Sequence, residues 1–547
     1  MGAIALSVEC KGITARYNWR APFAEQDMGM FFSRVAPIYR RDMLRVVFLA
    51  FLIGAAASIL IEQPGYTDAF YYYNAAQRMA SGLGMTDAAI WTYIGAPAGL
   101  PIPSHLYWQP LPSFVAFGGM SLFGVHFGAA QLAFLPLYAL SAALGYALGA
   151  LLSKSRGGAW LAALLTLFSG YYFPYWFTTS TVAPFGVFGA LSLLSMGLGR
   201  KTGLWTWFAL SGACAALAHL TRSDGLLLLV ILPVVAMWRA ALREGLRAAM
   251  AGVLAYGALM APWWLRTLAV TGAPLPIGGL ETAFMRSYDE IANYPAGIRL
   301  TDFLSWGVEN IIGSRLWALS VNVPRFIGEQ GMIAMLPLML YGAWRKRDEP
   351  VLSGFLLYAP LLFALMTFIF AFPGARGGLF HSGAALVPFW AALGAVGLDD
   401  ALTYIALRRR WRLSQAKAVF GSALALWAIS LSLWTLGNKR AEWNNSGAFY
   451  TALNLPREAI VMINDPPALY YFTGNMGVVL PNAPPSSISD LAARYGVTHV
   501  VVDRNHTQPM GALWRGQDVP SFLEPLYYDG TVRIYRVRAQ GEGGEVN

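Results

Sequence analysis

Long apolar runs separated by short polar breaks fill residues 43–436, with lengths that suit a bilayer better than a soluble core. The first, 43–61, is apolar apart from Arg45 and long enough to span hydrocarbon, which takes about 20 residues at roughly 1.5 Å rise each. Others lie at 131–152, 160–177, 184–198, 204–217, 226–238, 248–268, 332–344, 352–372, 379–398 and 419–436. The pattern predicts a polytopic α-helical membrane protein with about eleven transmembrane helices. The stretch 111–125 is short, holds Pro112 and is rich in glycine, so it reads as an amphipathic helix in the outer interface rather than a span. Two long exterior loops result, 62–128 and 271–330, and loops of that length are more often functional than filler. Residues 438–547 change character. Short β-type runs at 459–463, 477–480, 499–502 and 532–537, with a helical stretch 488–495, predict a small exterior α/β domain ending in a polar tail, 539–547.

Composition supports the same division. A chain of 547 residues with 56% hydrophobic and 12% charged side chains is not an ordinary soluble globule. Basic clusters at Lys154 and Arg156, Arg200 and Lys201, Arg239 with Arg243 and Arg247, Arg345 to Arg347, and Arg408 to Arg412 follow every second run. The positive-inside bias then places them, with Arg34, Arg40 and Arg41, on the cytoplasmic side. This predicts a cytoplasmic segment 1–42, a membrane domain 43–437 and an exterior, periplasmic domain 438–547 of a plasma-membrane protein. The net charge of +10 is explained by topology, so nucleic acid is not an expected partner. Cys10 and Cys214 offer neither a disulfide framework nor a thiolate metal site. Residues 1–25 lack the apolar core of a signal peptide, so the first span serves as the insertion signal.

With that orientation the polar residues at membrane level gather on the exterior side, where ionisable groups need partners or a cavity. Asp68 follows the first span within Pro64-Gly65-Tyr66-Thr67-Asp68-Ala69-Phe70-Tyr71-Tyr72-Tyr73. It reads either as an acidic helix end bonded to backbone amides or as a general base. Arg222 and Asp224, in Leu220-Thr221-Arg222-Ser223-Asp224-Gly225, read as a mutually neutralising turn or as a phosphate site led by a planar guanidinium. Arg376, flanked by Gly374, Gly377 and Gly378, carries the same pair of readings. Asp68, His105, His219 and His381 lack ligand spacing, so no metal cofactor is expected, a divalent cation being the less favoured alternative. The aromatic residues near 66–73, 171–176 and 263–264 suit an interfacial belt, a minority of them stacking on a sugar ring. Tyr288, in loop 271–330, belongs to either a closing lid or a packed cap.

These motifs, taken in order, resemble the membrane glycosyltransferases of the GT-C superfamily, of the protein O-mannosyltransferase and aminoarabinose transferase type. The resemblance covers roughly residues 43–400. It rests on Tyr66-x-Asp68 after the first span, on His105-Leu106-Tyr107-Trp108-Gln109-Pro110-Leu111 leading the interfacial helix, and on two further motifs. One is the turn at Arg222, with Ser223 where proline is usual; the other is Ala261-Pro262-Trp263-Trp264-Leu265-Arg266. What the resemblance implies is inverting transfer of a sugar from a polyprenyl-phosphate donor to a hydroxyl acceptor at the exterior face. Asp68 would then be catalytic, with Arg222, Arg266 and Arg376 holding the donor phosphate. Tyr66, Tyr72, His105, Trp108, Asp224, Tyr288 and His381 would contact substrate. Ala69 stands where many members carry a second acid, and residues 178–181 offer only hydroxyls where some relatives have another. The rival readings are a transferase using a polyprenyl-pyrophosphate-linked glycan, a lipid or sugar transporter, and a protein whose C-terminal domain is chiefly a binding module.

Overall fold

The structure, a computed structural model, describes residues 37–276 and 278–538, so most of the expected cytoplasmic segment, including Arg34 and Cys10, and the polar tail lie outside the described residues. It has two compact units, Met1–Leu44 and Arg45–Asn547. The described part of the first is the opening of helix Pro37–Leu60.

Among the described residues, seven helices are long and apolar enough to cross a membrane: Ile38–Leu60, Phe127–Ser153, Val182–Thr202, Leu242–Thr271, Pro350–Ile369, Ala371–Arg409 and Leu413–Ala452. The most apolar stretch of Ala371–Arg409 is 94% buried and that of Leu413–Ala452 only 28%, which separates a central helix from a peripheral one. The outer helices present Leu254, Leu265, Leu426 and Trp434 outward, an arrangement a soluble fold would not tolerate but a lipid-facing wall requires. Backbones meet closely inside. A Cβ at Gly397 would strike the carbonyl of Leu338 and one at Gly342 the carbonyl of Leu393, so helices Leu336–Arg345 and Val387–Arg409 pack through reciprocal glycines.

The remaining apolar runs form shorter helices, Trp205–His219, Leu226–Met237 and Leu336–Arg345. The run at 160–177 is not one helix. It breaks at Phe168 and at Gly170, which has positive φ, into Arg156–Leu167 and a 3₁₀ stretch Gly170–Phe177 that contains Pro174. The stretch 111–125 forms the short helix Leu111–Phe123.

Loop 271–330 is more ordered than its sequence suggested, since it contains an 18-residue helix, Val308–Arg325. Its buried face is Ser314, Ala318 and Asn322, while Ile312, Leu316 and Trp317 are exposed, the reverse of a soluble amphipathic helix. Asn322 donates to Thr367 Oγ1 at 3.0 Å, and Arg325 donates to the Ala375 carbonyl.

The C-terminal sheet is mixed and six-stranded, in the order β2-β5-β4-β6-β8-β7. Its strands are β2 (Ala89–Ile90), β4 (Val461–Ile463), β5 (Gly477–Val479), β6 (His499–Asp503), β7 (Leu523–Tyr528) and β8 (Val532–Val537). β2, β5, β4 and β6 run parallel, and β8 and β7 add antiparallel edges. β2 comes from loop 62–128, beside a two-stranded ladder of β1 (Thr86–Asp87) and β3 (Ile102–Pro103). Ile90, Tyr93, Met285 and Ile291 share a core with Met462, Val478, Val500 and Tyr535, so both long loops are built into this domain.

Candidate active site

Asp68 lies in the first turn of helix Thr67–Ala80, after an extended Tyr66. A carboxylate there faces the positive end of the helix dipole. The entry is fixed from below, where Thr178 Oγ1 donates to the Pro64 carbonyl and Thr179 Oγ1 to the Ala69 carbonyl, each at 2.7 Å. The hydroxyl run 178–181 therefore clamps the chain on both sides of Asp68. No described residue hydrogen-bonds the Asp68 carboxylate, so the helix-end reading, in which backbone amides satisfy it, does not describe its surroundings. Burial pushes its carboxyl up to about 6, with Arg222 opposing and Asp465 adding to the rise.

Arg222 stands opposite. Its Nε donates to Asp224 Oδ1 at 3.1 Å and to Ser382 Oγ at 3.2 Å, while Ser382 Oγ donates to Asp224 Oδ2. The pair is largely enclosed, with side chains 21% and 11% exposed. Only the Nε edge of the guanidinium is used, which leaves the two terminal nitrogens without a protein hydrogen-bond partner among the described residues. The turn thus contains the neutralising Arg222–Asp224 pair that its sequence offered as one reading.

Tyr72, Tyr107 and Tyr288 close the cluster, each within electrostatic reach of both Asp68 and Arg222. Tyr288 carries the Arg376 guanidinium over its ring at 4.8 Å, and its phenol is pushed up to about 12 by burial and by Asp68, against Arg376 and Arg222. Arg376 is exposed on a turn whose Gly377 has φ of 135°, open to glycine alone. The Tyr66 ring packs against Tyr175, His381 and Trp443. His381 Nδ1 pairs with Thr181 Oγ1 at 2.8 Å.

Other sequence candidates fall in a second cluster. His105 is buried with both ring nitrogens engaged, Nδ1 to Ser104 Oγ at 2.8 Å and Nε2 to Ser113 Oγ at 2.9 Å, and burial holds it neutral, down to about 3. Its backbone N–H donates to Tyr71 Oη, which donates to Asp87 Oδ2, each at 2.7 Å. Arg266 donates from Nη2 to the Ser104 carbonyl at 2.6 Å and lies over the Trp263 ring, so it braces this network rather than joining Arg222. Trp108 packs between Tyr71 and Trp91, centroids 4.3 Å from each. His219 pairs with Tyr256. The three histidines thus sit in separate networks, and no group of three metal-binding side chains occurs among the described residues.

Ser382, Asp87 and Asp465 were not singled out by sequence. Asp87 is a buried carboxyl pushed up to about 7 by burial. Asp465 precedes Pro466 and Pro467, an N-cap signature that announces a helix but not its neighbour.

Apolar, outward-facing helices and a C-terminal mixed sheet make this a polytopic α-helical membrane protein whose fold is GT-C-like. Two solved proteins carry that likeness over most of the chain. One is ArnT from Cupriavidus metallidurans bound to undecaprenyl phosphate, with TM-score 0.57 and 14% identity over 90% of this chain and 97% of that one. The other is the oligosaccharyltransferase AglB from Archaeoglobus fulgidus in complex with an inhibitory peptide and a dolichol-phosphate, with TM-score 0.54 and 14% identity over 92% of this chain and 75% of that one. ArnT in the apo state gives TM-score 0.53 at 14% identity. No family model and no curated protein sequence matches the chain.

Proposed function

We propose that the protein is an inverting glycosyltransferase that moves a sugar from a polyprenyl-phosphate donor to a hydroxyl acceptor at the exterior membrane face. The observation that carries this reading is Asp68, an acid with no hydrogen-bond partner among the described residues, set within electrostatic reach of an arginine whose two terminal nitrogens have none either. Asp68 takes the acceptor hydroxyl's proton as that oxygen attacks the anomeric carbon. The bond to phosphate breaks with its electron pair, and charge on the departing phosphate is met by Arg222 and Arg376. A single displacement inverts the centre and needs only one carboxylate on the acceptor side. Arg266, His105 and Trp108 shape the wall beside Tyr71 and Tyr107. Topologically we read about eleven crossings, the shorter helices included, with residues 1–42 cytoplasmic and the sheet domain exterior.

The folds of ArnT and AglB, solved with undecaprenyl phosphate and dolichol-phosphate, support a polyprenyl-phosphate donor. Native mass spectrometry of the protein with undecaprenyl phosphate added tests the donor assignment. The wild type should retain the lipid and both Arg222→Ala and Arg376→Ala should lose it at least tenfold. Retention within twofold in both variants ends the phosphate assignment. Asp68→Asn should keep the lipid but not turn over.

A further inference from the structure

Helix Thr67–Ala80 is tied at each turn to helix Pro466–Thr473 of the C-terminal domain. Thr67 Oγ1 donates to Asp465 Oδ2 at 2.7 Å, and Asn74 Nδ2 donates to the Pro467 carbonyl at 2.8 Å. Arg78 Nη1 donates to Tyr470 Oη at 3.0 Å, and Phe70 packs on Tyr471 and Phe472 at centroid distances of 5.0 and 5.3 Å. Asp465 uses both oxygens, since Oδ1 also accepts the Ala468 N–H at 3.1 Å as the N-cap. The acid-bearing helix is thus seated on a domain more than 380 residues away in sequence, through a carboxylate bonded to the residue next to Asp68.

We propose that Asp465 is a positioning residue for Asp68: it fixes the first turn of the acid-bearing helix through Thr67 and sets a second carboxyl group within electrostatic reach of the Asp68 carboxylate. The groups that face Asp68 are Arg222, which favours its ionised form, Asp465, which disfavours it, and the neutral phenols of Tyr66, Tyr72, Tyr107 and Tyr288. Asp465 itself faces Thr67, the Ala468 N–H and Asp503, with Tyr450 nearby. A base held at higher proton affinity takes a hydroxyl proton more readily once it is ionised. The inference deepens the reading of Asp68 as base, but its geometry and its test stand apart from the transfer reaction.

Dicyclohexylcarbodiimide modifies carboxyl groups in their protonated form, so the pH at which labelling of Asp68 falls by half reports its ionisation. The full-length protein in lipid nanodiscs is labelled across the acid to neutral range, and the Asp68 peptide is quantified by mass spectrometry. The wild-type midpoint is expected near 6. Asp465→Asn keeps a strong cap but removes the charge, and should move the midpoint to lower pH by at least a few tenths of a unit. Asp465→Ser, also neutral and also a strong cap, must move it the same way, and Asp465→Glu should restore it. A midpoint unchanged or raised in both neutral variants overturns the proposal. Turnover that survives Asp68→Asn while the shift is present would instead remove the base assignment and leave the coupling intact.

Discussion

At the residue scale the site turns on two groups left incomplete by their surroundings. Asp68 is raised by burial and by Asp465, and held back from a larger rise by Arg222. A general base works only when ionised, so kcat/KM should climb tenfold per pH unit on the acid side and level off above about 6. The same shift acts on stability with the opposite sign. The native carboxyl binds its proton more tightly than the unfolded one, whose ordinary value is 3.8, so the stabilisation is complete below that value and lost as pH rises through about 6. Thermal midpoints of wild type and Asp68→Asn should therefore separate above that pH, the neutral variant being the more stable. Identical midpoints throughout, with no acid limb in kcat/KM, would show that Asp68 titrates as an ordinary exposed acid. Asp68, Arg222 and Arg376 stood out in the sequence as candidates because a carboxylate or guanidinium at a membrane helix end needs a reason. Ser382, which joins Arg222 to Asp224, gave no signal, since a serine in an apolar helix is commonplace.

At the scale of elements, packing decides what hydropathy could not. The reciprocal glycines Gly342 and Gly397 let helix Leu336–Arg345 lie against the central helix Val387–Arg409 with no side chain between them. Gly397→Val should force these backbones apart, at a cost of roughly 1–3 kcal/mol or more. Gly257, on Leu242–Thr271, faces open space, and Gly257→Ala should be neutral or stabilising by roughly 0.5–1 kcal/mol. Thermal unfolding in detergent should show a clear fall for the first and none for the second; equal midpoints would mean that the close approach is absent in the folded protein. The strands β4, β5, β6 and β8 and helix Ser487–Tyr495 were legible because their apolar runs match the periods of buried strands and of a short amphipathic helix. β2 was not, since two residues of a long loop carry no periodicity, and their pairing with Gly477 and Val478 is purely tertiary. Helix Val308–Arg325 was missed because its apolar residues face outward and its small and polar ones inward, so a pattern read for a soluble or spanning helix finds neither.

At the scale of the whole molecule, the positions of the charges predict the topology and therefore the side on which the proposed chemistry would occur. Residues 62–128 and the sheet domain share one sheet through β2 and β5, so both must lie on the same side of the membrane whatever the orientation of the rest. The helix Phe127–Ser153 leads away from that side to Lys154, whose left-handed conformation ends the helix at the first basic cluster. Lys154 and Ser81 are both exposed, whereas Thr179, at the far end of the next run, is fully buried and unsuited to labelling. In a variant with Cys10→Ser and Cys214→Ala, a membrane-impermeant maleimide applied to intact cells should label Ser81→Cys and leave Lys154→Cys unlabelled until the membrane is opened. Labelling of both from outside would make helix Leu111–Phe123 a true crossing and reverse everything after it, separating Asp68 from Arg222 by the thickness of the bilayer. The two side chains meet in one cluster, so that outcome is incompatible with the fold, and the experiment tests the site and the topology together.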